Sequence, residues 1–239
     1  MSARGDDGDG RNRIGARNEA VGGSDAALRV MIVDDHQLFR QGLRDLLEEQ
    51  DFSIAGEAED AAEAIALAAD SKPDVALMDI KMPGRSGIEA TRRLRLVSPE
   101  TKVVILTVSP DEADVAEAVQ AGACGYVLKD SSVREVAASI RAAVAGESLL
   151  SPRIASDLLA RLRQSPPPKD LPPEKVPILT HRETEVLRRI VAGESNTEIA
   201  AELLISDHTV KNHVSSLLTK LGVDNRIQAA VYAVRERLV

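Results

Sequence analysis

Four short apolar runs, each stopped by a polar residue, constrain this chain more than anything else in it. Val30-Met31-Ile32-Val33 is followed by Asp34-Asp35, Val75-Ala76-Leu77-Met78 by Asp79, Val103-Val104-Ile105-Leu106 by Thr107, and Cys124-Gly125-Tyr126-Val127-Leu128 by Lys129. Helix-like stretches alternate with these runs: Phe39, Leu43, Leu46 and Leu47 recur at helical spacing, as do Val133, Val136, Ala137, Ile140 and Val144. Five strand-helix repeats between Leu28 and about Gly146 imply an α/β fold with a doubly wound, five-stranded parallel sheet. In such a sheet the polar residues that close the strands gather at one carboxyl edge, where open α/β sheets bind their ligands.

The chain of 239 residues, 44% hydrophobic and 28% charged, is long enough for two ordinary domains. Its longest apolar run falls well short of a membrane span, and residues 1–27 read as a flexible, disordered leader without the apolar core of a signal peptide. The expectation is a cytoplasmic protein with no membrane partner. The one cysteine, Cys124, has no disulfide partner and no neighbouring zinc ligands, and reads as packing. A net charge of −8 argues against indiscriminate binding to nucleic acid or acidic membranes. From Thr180 to Val239, however, eight Lys/Arg balance eight Asp/Glu, so the acidity lies upstream.

Residues 147–178 read as a connection. Ser151-Pro152 supplies an N-cap and a first-turn proline for a short helix carrying Ile154, Leu158 and Leu162, and the proline-rich stretch from Ser165 to Pro173 suits a semi-rigid tether. The domains expected are therefore residues 28–146 and 179–239.

Three aspartates converging on one edge would raise each other's pKa and repel unless a divalent cation neutralised them. Oxygen ligands alone favour Mg²⁺, which takes carboxylates together with phosphate oxygens. Lys129 and the Thr107 hydroxyl suit the remaining oxygens of a phosphoryl group, and Asp79 is the expected nucleophile. Taken singly, each residue has a plainer use. Asp34-Asp35 would cap the following helix, Thr107 would end a strand, Tyr126 would be a half-buried aromatic and Lys129 a solvated cation. Only Asp79, after a buried run and before Met82-Pro83-Gly84, is unusual alone, because burying an unpaired carboxylate is costly.

Residues 28–145 resemble the flavodoxin-like receiver domain of bacterial two-component response regulators. The resemblance lies in the words Ile32-Val33-Asp34-Asp35-His36, Met78-Asp79-Ile80-Lys81-Met82-Pro83-Gly84, Leu106-Thr107 and Gly125-Tyr126-Val127-Leu128-Lys129, and in the spacings between them. It implies that Asp79 accepts phosphate from a sensor histidine kinase, that Asp34, Asp35 and Asp79 hold Mg²⁺, and that Lys129 pairs with the acyl phosphate. Thr107 and Tyr126 would form the switch pair. One departure stands out: many receivers follow the lysine with proline, whereas Asp130 follows Lys129 here.

Thr180-His181-Arg182-Glu183 and Ser195-Asn196-Thr197-Glu198 are both capping boxes, so helices start at each. A third helix after the cap candidate Ser206 would bury Val210, Val214, Leu217 and Leu221 and present His208, Lys211, Asn212, Ser215 and Thr219 outward. The short turn Leu204-Ile205-Ser206 between two helices suggests a smaller all-α helix-turn-helix unit, with any small helical bundle as the alternative. The words Leu179 to Glu183, Ser195 to Ala200, Thr209 to His213 and Lys220-Leu221-Gly222 resemble the LuxR-type DNA-binding domain, and the combination resembles the NarL/FixJ type of regulator. The resemblance implies base reading by Lys211, Asn212 and Ser215, with Ser206, Thr209, His213 and Lys220 also at the DNA and the last three of these near phosphates. It also makes the last helix, with Ile227, Ala230, Val231, Val234 and Leu238 on one stripe, a dimer contact.

The function expected is thus a non-enzymatic, phosphorylation-switched transcription regulator that binds double-stranded promoter DNA as a homodimer. Alternatives are a regulator with a vestigial receiver and an Asp-nucleophile phosphatase. The latter's usual second aspartate, two residues after the nucleophile, is absent because Lys81 stands there.

Overall fold

In the computed structural model, residues 27–84, 86–108, 112–147 and 178–239 are described. Five strands alternate with five helices: β1 (Arg29–Val33), α1 (Gln37–Glu48), β2 (Ser53–Ala58), α2 (Ala61–Ser71), β3 (Val75–Met78), α3 (Gly87–Val97), β4 (Lys102–Thr107), α4 (Glu112–Ala121), β5 (Gly125–Leu128) and α5 (Val133–Val144). All neighbouring strands pair in parallel in the order β2-β1-β3-β4-β5. The order reverses direction beside β1, so a crevice opens between the carboxyl ends of β1 and β3.

The apolar runs are buried because both sheet faces are covered. On one face Met31, Val33, Ala76, Met78 and Ile105 pack with α2, α3 and α4. On the other Val30, Ile32, Val75, Leu77 and Val104 pack with Leu43 and Leu47 of α1 and with Val136, Ala137 and Ile140 of α5. Two expected core residues depart from this: Leu46 and Val144 fall on the solvent sides of α1 and α5. The helical period admits them to the inner stripe, but Leu43 and Leu47 already fill the space against the sheet. β2 is an edge strand with a half-buried sequence, Ser-Ile-Ala-Gly-Glu-Ala, and shifts register against β1 between Val30 and Met31.

The C-terminal helices are α6 (His181–Val191), α7 (Asn196–Leu203), α8 (Asp207–Leu221) and α9 (Arg226–Arg235). Thr180 and Ser195 close complete capping boxes, and Ser206 caps α8 by accepting from the Thr209 N–H. Val186, Ile190, Ile199, Val210 and Val214 make one apolar cluster, and Leu187, Leu217, Leu221, Ala229 and Ala233 a second. The stripe expected on α9 divides. Ala230 and Leu238 face the other C-terminal helices, but Ile227 and Val231 pack onto the cluster beneath α4. Ala229 and Ala233 are the residues buried inside the unit, because their small side chains let α9 lie close to its neighbours.

The leader, the short helix expected after Pro152 and the proline-rich stretch lie outside the described residues. Among the described residues no helix is long and apolar enough to cross a membrane.

Candidate phosphoryl site and nucleic-acid face

Backbone hydrogen bonds carry the parallel ladder one step past the strand ends. Asp34 N donates to Ala58 O at 3.1 Å, Asp79 N to Val33 O at 2.9 Å and Lys129 N to Thr107 O at 2.7 Å. The polar residues after the runs are thereby fixed side by side before any side-chain contact forms. Gly87, at the start of α3, closes the arrangement from below: its N–H donates to Ile80 O at 2.9 Å, and a Cβ there would lie 1.8 Å from the Asp79 carbonyl oxygen. Only glycine lets α3 begin so near the nucleophile candidate, a constraint that periodicity cannot reveal.

Asp34 and Asp79 are buried, and the Lys129 ammonium sits between them, 2.5 Å from Asp34 Oδ2 and 2.7 Å from Asp79 Oδ2. The lysine reaches Asp79 with Asp130, not proline, behind it. Burial pushes the Asp79 carboxyl up, more than the Lys129 hydrogen bond pulls it down, and Asp34 adds to the rise. For Lys129 burial opposes the charge, yet its bonds to Asp34 and Asp79 prevail and hold its pKa above the ordinary value.

Asp34, Asp35, His36 and Asp79 offer ligand atoms within 4.8 Å of one another. His36 is a participant that the sequence reading did not single out, although it adjoins Asp35; its Nδ1 lies 2.8 Å from Asp35 Oδ1. The plainer use of the two acids as caps is not what forms, because α1 begins without a side-chain cap. The Asp34 carbonyl accepts instead from Arg40, whose guanidinium also pairs with Glu57 at 3.3 Å. Asp34 and Asp79 on the Lys129 ammonium, with Asp35 beside His36, form an oxygen-rich set that fits a hard divalent cation.

Thr107 ends β4 with its hydroxyl fully buried and without a hydrogen-bond partner among the described residues. Such a group has donor capacity to offer an incoming oxygen. Tyr126, in the middle of the neighbouring strand, is buried in the core cluster under α4.

In the C-terminal unit His208, Lys211, Asn212, Ser215 and Thr219 all stand on the exposed side of α8, with Thr209 and His213 half-buried beside them. Lys211 pairs with Asp207 one turn back at 2.9 Å, and the Ser206 and Thr209 hydroxyls lie 2.8 Å apart at the helix start. Lys220 differs, since its ammonium binds the buried Glu183 at 2.8 Å.

The two units also touch. Asn225 donates to the Gly122 and Ala123 carbonyls at 3.3 and 3.2 Å, Gln228 to Val119 O at 2.9 Å, and Arg95 pairs with Asp224. The receiving carbonyls end α4 and lead into β5. The contact is therefore made by α9 and the two residues before it, with Asn196 of α7 also donating its backbone N–H to Glu147 at 3.3 Å, while the outward face of α8 is left exposed.

Known proteins match both parts. The family described as response regulator receiver domain matches residues 30–141, and the family described as bacterial regulatory proteins, luxR family, matches residues 177–233. The chain is 44% identical over 213 residues to the transcriptional regulatory protein LiaR of Bacillus subtilis, covering 89% of this chain and 99% of that one. It is 38% identical over 213 residues to a probable transcriptional regulatory protein NarL of Mycobacterium tuberculosis, covering 89% and 96%. Among solved structures, a LuxR-family response regulator from Aurantimonas matches with a TM-score of 0.54 and 38% identity, over 58% of this chain and 99% of that one. A structure of two RcsB dimers bound to two parallel DNAs matches with a TM-score of 0.51 and 26% identity, over 87% and 98%.

Proposed function

The chain belongs to the two-component response regulators that join a receiver domain to a LuxR-type DNA-binding domain, and from that premise we propose that phosphorylation of Asp79 controls its hold on promoter DNA. As a member it is a DNA-binding transcriptional regulator. The limits we assign are residues 28–146 for the receiver, 147–178 for the connection and 179–239 for the DNA-binding domain, in a protein of the cytoplasm.

The observation that carries the reading is the Lys129 ammonium bridging Asp34 and Asp79 at the sheet edge, with the Thr107 hydroxyl, unpartnered among the described residues, on the same edge. An Asp79 carboxylate oxygen attacks the phosphorus of a phosphohistidine on the sensor kinase; an O–P bond forms, the P–N bond breaks, and the imidazole leaves. Asp34, Asp35 and Asp79 would hold Mg²⁺, which neutralises phosphoryl charge as the group transfers. Lys129 keeps Asp79 ionised against its burial and then follows the phosphoryl oxygens. Thr107 donates its free hydroxyl to one of them, and Tyr126 responds to the space it leaves.

The consequence is a population shift. In the resting arrangement the receiver holds α9 through Asn225 and Gln228, so the DNA-binding domains are not paired. Phosphorylation favours the paired form, in which Lys211, Asn212 and Ser215 read bases, Thr209 and His213 lie near phosphates, Lys220 lies near them while bound to Glu183, and Ser206 also meets the DNA. A DNA-binding domain with balanced charge gains little from counterion release, so one copy binds weakly and two are needed.

The test is intact mass after treatment with acetyl phosphate and Mg²⁺, followed by sizing. One phosphoryl group on wild type, none on Asp79→Asn, and a shift toward dimer are expected; equal uptake by the two chains would sink the assignment.

A further inference from the structure

We propose that Asp207 is a specificity-determining residue: paired with Lys211, it reads which strand of one base pair carries the keto group and which the amino group. The proposal rests on the reading of α8 as the helix that enters the major groove with Lys211 at the bases.

Asp207 opens α8 and is the one carboxylate along its length. In a helix-turn-helix the leading residues of the second helix meet the base edges. An acid at that place repels phosphates, and a unit with eight Lys/Arg and eight Asp/Glu has no surplus of cations to offset it. The plain uses of such an acid are to complement the positive end of the helix and to staple one turn to Lys211, and for exposed groups both are small. The first turn does not depend on it as a cap. That task falls to Ser206, whose hydroxyl accepts from the Thr209 N–H at 3.1 Å and lies 2.8 Å from the Thr209 hydroxyl.

What Asp207 does hold is the Lys211 ammonium, with Oδ2 2.9 Å from Nζ on the exposed side of the helix. An acceptor and a donor are thereby presented side by side. The major-groove edge of a base pair presents the matching couple: guanine O6 accepts where cytosine N4 donates, and thymine O4 accepts where adenine N6 donates. In each pair the two atoms are hydrogen-bonded to one another and so lie about 2.9 Å apart. With Nζ over the keto oxygen and Oδ2 over the amino group, both contacts are favourable. Turning the base pair over sets donor against donor and acceptor against acceptor, and the wrong orientation is rejected twice.

Lysine alone does not impose that orientation, because a flexible ammonium follows whichever acceptor is near. The carboxylate imposes it, since it accepts and cannot donate. Lys211 has three N–H donors, so one on Asp207 leaves two for guanine O6 and N7, whereas thymine offers a methyl in place of N7. Naming the base beneath Lys211 first, the expected order is G·C, then T·A, then the two inverted pairs.

The test is selection from a pool of random-sequence DNA duplexes by the full chain treated with acetyl phosphate and Mg²⁺, with the bound duplexes sequenced. Wild type should deplete the inverted pairs at one position of each half-site by at least about fivefold, the low end for one mismatched base pair. Asp207→Asn, whose amide both donates and accepts, should select the same site with that depletion gone. Asp207→Glu, which keeps the acceptor, should retain it, and all three chains should unfold at the same urea concentration. An Asp207→Asn chain that selects as wild type does overturns the proposal. So does a loss of selectivity spread evenly over the site, which would mark Asp207 as structural. Lys211→Ala separates the two readings. If that chain selects the wild-type site, Lys211 is off the bases and the paired reading falls, while DNA binding by this domain stands. If wild type enriches no sequence at all, both fall together.

Discussion

Asp79 and Glu183 are the same chemistry put to opposite ends. Both carboxylates are buried, at 4% and 3% exposure, and both have a lysine near 2.8 Å. Yet Asp79 is pushed above the usual carboxylate range, whereas Glu183 is held down at about 2. Burial is the largest influence on each and raises both; the partners make the difference. Glu183 accepts from Lys220, from the Thr180 N–H at 2.7 Å, from the Thr180 hydroxyl at 3.0 Å and from the Ser216 hydroxyl at 2.9 Å. Among the described residues Asp79 accepts from Lys129, with only a 3.3 Å contact from the Lys81 N–H besides, and faces Asp34. A saturated carboxylate is a joint that ties α6 to α8. An under-supplied one retains lone pairs for a reaction.

The largest consequence is a double dissociation. Asp79→Asn should lose phosphoryl uptake entirely and leave urea unfolding unchanged or slightly improved, since it removes a charge that burial disfavours. Glu183→Gln should leave uptake intact and destabilise the C-terminal unit by about 1–3 kcal/mol, because an amide cannot accept from four donors. A destabilising Asp79→Asn or a neutral Glu183→Gln would break the contrast.

That contrast was only half legible in the sequence. The edge site could be read because strand runs end where the sheet ends, so Asp34, Asp79, Thr107 and Lys129 converge once the sheet is parallel. Glu183 was visible as one half of a capping box, but its other partners come 33 and 37 residues later, on a different helix, and no local period links them. The same holds for Asn225, whose side chain accepts from the Gln228 N–H to cap α9 and also donates to carbonyls more than 100 positions upstream. β2 left little trace because an edge strand need not be apolar. Gly87 left none, since what forbids a side chain there is the Asp79 backbone folded against it.

Titration sharpens the comparison further. For Glu183 the folded pKa lies below the ordinary 4.5, so its contribution to stability is fully present above about 4.5 and is lost as pH falls toward about 2. For Asp79 the folded pKa lies above the ordinary 3.8, so its ionised form costs stability at neutral pH, and that cost is relieved as pH falls through the raised value. The penalty of Glu183→Gln should therefore shrink on acidification from pH 4.5, and any gain from Asp79→Asn should disappear. Urea unfolding of the three chains between pH 7 and 3 reads both slopes; parallel slopes would show that the two acids share one environment.

The smallest effect separates two lysines by the same rule. Lys220 is committed to Glu183, whereas Lys211 holds Asp207 in an exposed pair one helical turn apart, with side chains 46% and 42% exposed. Such a pair is worth about 0.3–0.5 kcal/mol, so Lys211 can leave it for DNA at little cost. Lys211→Ala should leave phosphorylation and unfolding unchanged while weakening promoter binding about tenfold, the low end of the range for a base contact. If the lysine reads a base, the loss is confined to promoters carrying that base. If it meets a phosphate, the loss is uniform across sequences and the salt slope falls by about 1. Equal affinity of the variant and wild type at every salt concentration would remove Lys211 from the interface and leave base reading to Asn212 and Ser215.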